Sequence, residues 1–318
     1  MAAVFVELRL QLGALGLRLA GGDVPASTPT ENDLGVAAVY CIALFLLNWV
    51  ARLYVVAPAA RAVLRAPQGR LSARALEAKV TKFAQAAMEA AFYGGFTALG
   101  LCVVPRQPWI WPSSQWWAGF SGGDHAVMGT DLRCYYLLYG ARYAQGMASV
   151  ALEPRRKDYF EMQVHHAVTV AVVFISYRHG WHRIGAVVML LLDPADVPLH
   201  CAKMLKYVAD ARQGQGALAR WCTFGADRTF EVFAVVFFVT RVVAYPYVCW
   251  SAHVEATRYF PKGAPEWACV ALLETLYALQ VYWFFLIVKV AVKMAHTGNA
   301  EDVRSDDDDD GTPRKKKQ

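Results

Sequence analysis

Charge is scarce in this chain. Only 18% of its 318 residues are Asp, Glu, Lys or Arg, where a soluble domain averages about 25%. Other signals are missing too. No CxxC pair occurs, and the cysteines (41, 102, 134, 201, 222, 249 and 269) are odd in number, so neither a zinc site nor a stapled secreted fold has support. There is no GxxxxGK[ST] and no GxGxxG, which removes the phosphate-cradling nucleotide folds. No Asn-x-Ser/Thr sequon is present, and the first twenty residues lack a basic start while carrying Glu7, Arg9 and Arg18. A cleaved signal peptide is not expected. What the chain has instead is apolar bulk: 56% of residues are hydrophobic and the mean hydropathy is +0.26. A core of this size cannot hide that much surface, so the solvent is expected to be a lipid bilayer.

Apolar stretches of about 20 residues, the length that crosses a membrane as helix, lie near 35–57, 84–104, 130–152, 162–178, 184–202, 230–250 and 268–294. The fourth and fifth are short and interrupted by polar residues. The turn between them, Tyr177 to Arg183, makes those two spans antiparallel neighbours. Loop charge sets the orientation. The first, third and fifth loops hold Arg61, Arg65, Arg70, Arg74, Lys79 and Lys82, then Arg155, Arg156 and Lys157, then Lys203, Lys206, Arg212, Arg220 and Arg228. The even loops hold only Arg106, Arg178, Arg183, Arg258 and Lys262. Odd loops and the C-terminus are therefore expected in the cytosol, with the N-terminus outside. The fold class is an all-α, multi-pass membrane protein of seven spans.

Two of these spans carry ionisable residues at depth, where burial costs a few kcal/mol or more and marks function by default. One reads Lys157 to Thr169 and contains His165-His166. The next reads Arg183 to His200 and contains Asp193 and Asp196. At about 1.5 Å per residue, His165 lies roughly 12 Å in from Lys157 and Asp193 roughly 15 Å in from Arg183. In a core about 30 Å thick these levels nearly coincide, in the cytosolic half. Asp193 and Asp196, three apart, share a helix face, whereas the adjacent histidines diverge by about 100°. Pro194 and Pro198 loosen the helix beside the carboxylates, and irregular backbone at this depth calls for a cavity.

Three uses of this set compete. The groups could merely satisfy one another across two helices. They could bind a divalent metal, although the remaining histidines (125, 179, 182, 200, 253 and 296) form no further His box. Or an imidazole oriented by a carboxylate could act as base or nucleophile without metal, the reading favoured here. Arg241 is a further intramembrane charge, with Glu89, Glu274 or an aspartate as candidate partner.

At these residues the sequence resembles a known family. Arg156 to Met162, His165-His166, Thr169, Ser176-Tyr177, Arg183 to Gly185, Asp193, Asp196 and Lys203 look like the Lag motif of the ceramide synthases, members of the TLC-domain, longevity-assurance family. The resemblance covers roughly 79–305. It implies a TLC fold of six helices around a cavity, preceded by one extra span, in the endoplasmic reticulum membrane. The implied activity is transfer of a fatty acyl group from acyl-CoA to the amine of a sphingoid long-chain base. It carries essential roles to His165, His166, Asp193 and Asp196, no metal and no cofactor, with acyl-CoA as co-substrate. The chain departs from the family in having Leu192 where a His is usual and His200 where a Glu is usual. It also lacks the customary Asn near Gly180.

Under this resemblance Arg155, Arg156, Lys157, Tyr177 and Arg241 are candidate substrate contacts, the basic triplet because it could attract acyl-CoA phosphates. Expected partners are acyl-CoA, a sphingoid base and membrane lipid, but not nucleic acid. A homodimer, a heterodimer or a small single-span subunit stay open. Two other functions remain as alternatives: a non-enzymatic lipid regulator of the same superfamily, and a transporter with a His/Asp proton relay. The regions expected are a luminal segment 1–34, the first span with its basic cytosolic linker 35–78, the catalytic domain 79–295 and a tail 296–318. In that tail Ser305 precedes five aspartates and suits an acid-directed kinase, while Lys315 and Lys316 have the spacing of a retrieval signal. Blocks of like charge stay solvated.

Overall fold

In the computed structural model residues 1–65, 72–152 and 158–297 are described, with the last helix's side chains through Lys293. Among them the secondary structure is almost wholly helical. Helix α1 covers Ala2–Leu19 and α2 Asp33–Ala51. A π-helical turn at Arg52–Val56 carries α2 directly into α3, Ala57–Leu64. Then follow α4 (Ala73–Val103), α5 (Thr130–Leu152), α6 (Tyr159–Arg178), α7 (His182–Leu192) and α8 (Asp196–Ala211). The last described helices are α9 (Gly216–Phe237), α10 (Tyr245–His253) and α11 (Ala264–Thr297).

Each of the seven apolar stretches read from the sequence lies in one of these helical segments. The helices run further than the apolar runs did, because a helix continues into the polar interface once its backbone bonds are made. The expected fifth loop is mostly helix for this reason: α8 extends to Ala211 and α9 begins at Gly216. Five segments are long and apolar enough to cross a membrane by length and composition: Asp33–Leu64, Ala73–Val103, His182–Ala211, Gly216–Arg258 and Ala264–Lys293. Helices α5 and α6 are more polar. Helix α5 can be, since α1, α2, α4 and α6 pack around it and its buried residues include Asp131, Arg133, Arg142 and Gln145.

Six segments close a ring. Helix α4 packs on α5, α5 on α6, α6 on α11, α11 on the α9–α10 segment, α9 on α8, and α8 back on α4. Helix α2 lies outside, against α5. The short α7 sits within one end of the ring, touching α4, α5, α6 and α10. That end is closed by an aromatic cap in which Trp117 meets Trp181 edge-on at 4.9 Å between ring centroids and Phe120 stacks on Phe260 at 3.8 Å. Away from it, α3, the start of α4, the end of α8 and the start of α9 share a second apolar cluster that includes Leu64, Val80, Val208 and Cys222.

The N-terminal stretch, expected as a plain luminal segment, forms α1 and is tied down by charge. Arg18 meets Asp131 at 2.5 Å and Glu7 meets Arg133 at 3.1 Å. Eleven residues of α1, about 16 Å of helix, thus face a rise of only two residues on α5. Helix α1 therefore lies across the end of α5, not along it. A two-residue antiparallel pair, Ala26–Ser27 with Met128–Gly129, adds a backbone tether.

Candidate active site

The break between α7 and α8 positions the carboxylates. Pro194 cannot continue the backbone ladder, and Asp193–Ala195 form a single 3₁₀ turn. The Asp196 N–H consequently bonds to the Asp193 carbonyl instead of the Leu192 carbonyl. Arg241 takes up that acceptor, donating to Leu192 O from Nε at 3.2 Å and from Nη2 at 2.5 Å. The same guanidinium pairs with Asp196 and donates from Nη1 to Gln280 Oε1 at 3.1 Å. Arg241 itself lies in a π-helical turn, Phe238–Ala244, a distortion common at functional sites. Of its three candidate partners, Arg241 thus takes the aspartate. Glu89 pairs with Arg142 at 2.5 Å and Glu274 with His253 at 2.6 Å.

Asp193 is 3% exposed and belongs to tyrosines. Its Oδ1 accepts from the Tyr139 hydroxyl at 2.8 Å and from the Tyr143 hydroxyl at 3.1 Å. Tyr143 in turn packs against both histidines, with centroids 5.8 Å from His165 and 5.6 Å from His166, and the two imidazoles lie 5.6 Å from each other. Neither imidazole is oriented by a carboxylate: Nδ1 of each is buried without a hydrogen-bond partner. The expected meeting of histidines and aspartates is not a hydrogen bond: tyrosines from α5 bond Asp193 and pack against the imidazole rings.

The hundred-degree divergence of the histidines sends them to different spaces. His165 lines a largely apolar cavity with Tyr143, Arg241 and Gln280 at one end and Trp181, Gly185 and Cys269 at the other. His166 lines a smaller cavity with Phe92, Tyr93, Arg142 and Asp193. Gly146 allows that second approach, since a Cβ there would stand 2.8 Å from Arg142 Nη1 and 3.0 Å from His166 Cε1. Among the described residues, no group of three or more His, Cys, Asp or Glu could hold a metal ion.

Tyr177 is elsewhere. Its hydroxyl donates to Asp33 at 2.5 Å, locking α6 to the start of α2 rather than facing the cavity. Arg155, Arg156, Lys157, Ser305, Lys315 and Lys316 lie outside the described residues. Sequence reasoning did not single out Tyr139, Tyr143 or Arg142 for this site. Their spacing along α5, with Tyr136, places polar residues on one face at three- and four-residue intervals, a signal hidden by the helix's generally polar composition.

The TLC domain profile matches residues 82–289. The chain belongs to the TLC-domain family. Among curated TLC-domain relatives, ceramide synthase 4 of Mus musculus is 31% identical over 227 residues, covering 71% of this chain and 54% of that protein. Ceramide synthase LOH2 of Arabidopsis thaliana is 26% identical over 303 residues, covering 91% and 97%. Ceramide synthase 5 of Homo sapiens is 31% identical over 229 residues, covering 71% and 55%. The chain thus spans about half the length of the two animal relatives and nearly all of the plant one.

Proposed function

We propose that this chain is a ceramide synthase, an acyltransferase that moves a fatty acyl group from acyl-CoA to the amine of a sphingoid long-chain base. The observation that carries the reading is His165: a ring nitrogen without a partner, in the wall of an apolar cavity that ends beyond it at Trp181. Apolar walls suit an alkyl chain, and the imidazole sits where the carbonyl end of that chain would lie. The dead end at the aromatic cap supports a reaction chamber over a translocation path.

A thioester is already activated, so the protein must supply a nucleophile or a base and a place for negative charge. In one route His165 attacks the thioester carbonyl, the C–S bond breaks, and CoA leaves as thiol after taking a proton. The amine then attacks the acyl-imidazole, forming the C–N bond and returning the histidine. In the other, His165 takes the amine's proton as the amine attacks the thioester directly, the C–S bond breaks, and the proton passes to the departing CoA sulfur. In both routes Gln280 is suited to the oxyanion. Its Oε1 is held by Arg241, which leaves Nε2 buried and without a partner in the wall shared with His165. Gln280→Leu is expected to lower kcat about 10²-fold with little change in KM, and equal kcat would remove this role. Asp193 and Asp196 act through Tyr143 and Arg241, fixing what the imidazoles and Gln280 lean on.

Purified chain given acyl-CoA should release CoA steadily only when a sphingoid base is present. Incubation with acyl-CoA alone, read by intact-protein mass spectrometry, separates the routes: one added acyl group supports the acyl-imidazole. Release that ignores the amine would contradict the proposal.

The membrane is that of the endoplasmic reticulum in this reading, with the basic loops and the C-terminus cytosolic. Cysteine introduced at the exposed positions Arg74 and Gly122 should be labelled from the cytosol and from the lumen respectively. Labelling of both from one side would overturn the orientation. Ser305 as kinase acceptor, Lys315 and Lys316 as retrieval signal, and Arg155, Arg156 and Lys157 as an acyl-CoA phosphate rim belong to the same proposal.

A further inference from the structure

The cavity beside His165 has two straight walls whose length can be counted. On α6 it runs from His165 to Ser176, and on α11 from Gln280 to Cys269. Each is eleven residues, about 16 Å at the helical rise. The far end is not soft. Trp181 is 1% exposed and packs on Trp117, whose indole N–H donates to Ser251 at 2.9 Å, and Ser251 donates on to Glu255 at 2.6 Å. Beside it, the Tyr136 hydroxyl bonds Ser176 Oγ at 2.5 Å and occupies the space a Cβ at Gly185 would need. Trp117 and Tyr136 are thus held by buried hydrogen bonds, while Trp181, whose own indole N–H has no partner, is held by packing.

An extended alkyl chain, with carbon–carbon bonds near 1.5 Å and angles near 111°, advances about 1.25 Å per carbon. The counted depth therefore takes about 13 carbons beyond a carbonyl held at His165.

Resting on the ceramide synthase reading for its chemistry, we propose that this cavity gauges the acyl chain. It accepts an acyl chain of about 14 to 16 carbons and rejects very-long-chain acyl groups, with Trp181, Gly185 and Tyr136 as the stop. Val188 on α7 and Val172 on α6 line the same space, so enlarging either shortens the permitted chain.

The test is the thermal midpoint of the purified full chain with saturating acyl-CoA of graded length, about 12 to 24 carbons. Stabilisation should peak near 14 to 16 carbons, and Val188→Phe should move the peak down by about two to four carbons. Should Val188→Phe fail to fold, Val172→Phe serves the same purpose on the facing wall. Stabilisation that keeps rising to the longest chain, or a folded variant with an unmoved peak, overturns the proposal. Turnover is measured separately. A peak at the stated length without amine-dependent CoA release would sink the ceramide synthase reading and leave the length gauge standing.

Discussion

Replacing His165 with Ala is expected to lower N-acyltransferase activity by about 10²–10⁴-fold while the protein still folds. The separation of effects follows from its surroundings. The ring packs edge-on to Trp283 at 5.2 Å and to Tyr143, but its Nδ1 supports nothing, so truncation removes chemistry without orphaning a buried partner. His166→Ala should also cost most of the activity, through the smaller cavity it shares with Asp193 and Arg142. Asp193→Asn and Asp196→Asn should do the same by loosening Tyr143 and Arg241. Initial rates of CoA release, compared at equal amounts of folded protein, check all four. A loss under tenfold for His165→Ala would contradict its assignment.

The largest effect on stability is expected far from that site, at Arg133. This side chain is 3% exposed and binds Asp33 at 2.5 Å, Glu7 at 3.1 Å and the Thr30 hydroxyl at 2.9 Å. Arg133→Ala leaves Asp33, also 3% exposed, facing Glu7 with no cation between them. Breaking a buried pair in this way costs about 3–5 kcal/mol, on the order of 10 °C in the thermal midpoint for a chain of this size. It should also free α1, which limited proteolysis would detect. Arg228→Ala is the control: that residue is exposed, and its loss should change the midpoint little. Equal midpoints for the two variants would show that the cluster does not anchor α1 and α2.

How much of this could be read from the sequence depends on the range of the interaction. The seven apolar stretches were legible because hydrophobic length is a local property, and each falls on a helix. The tight turn before α7 made α6 and α7 readable as neighbours, and His166 and Asp193 line one small cavity. What packs against them was not readable. The tyrosines come from α5, more than twenty residues earlier in the chain, and nothing in the spacing of the Lag-like motif refers to them. The pairing of Arg241 was narrowed to three partners, but choosing Asp196 required knowing that the 3₁₀ turn frees the Leu192 carbonyl. Helix α1 was missed for another reason. Its buried residues are few, Gln11 and Ala14, and its partners lie some hundred residues away on α5, so no periodic signal announces it.

The most direct measurement is expression of the full chain in cells that lack ceramide synthase, with sphingolipids quantified by mass spectrometry and the His165→Ala protein run beside it. The account predicts that ceramides return with the unaltered chain, that their acyl groups match the cavity's depth, and that equal amounts of the His165→Ala protein restore almost none. Membrane-inserted, folded protein that restores no ceramide, or restores it equally with and without His165, would contradict it.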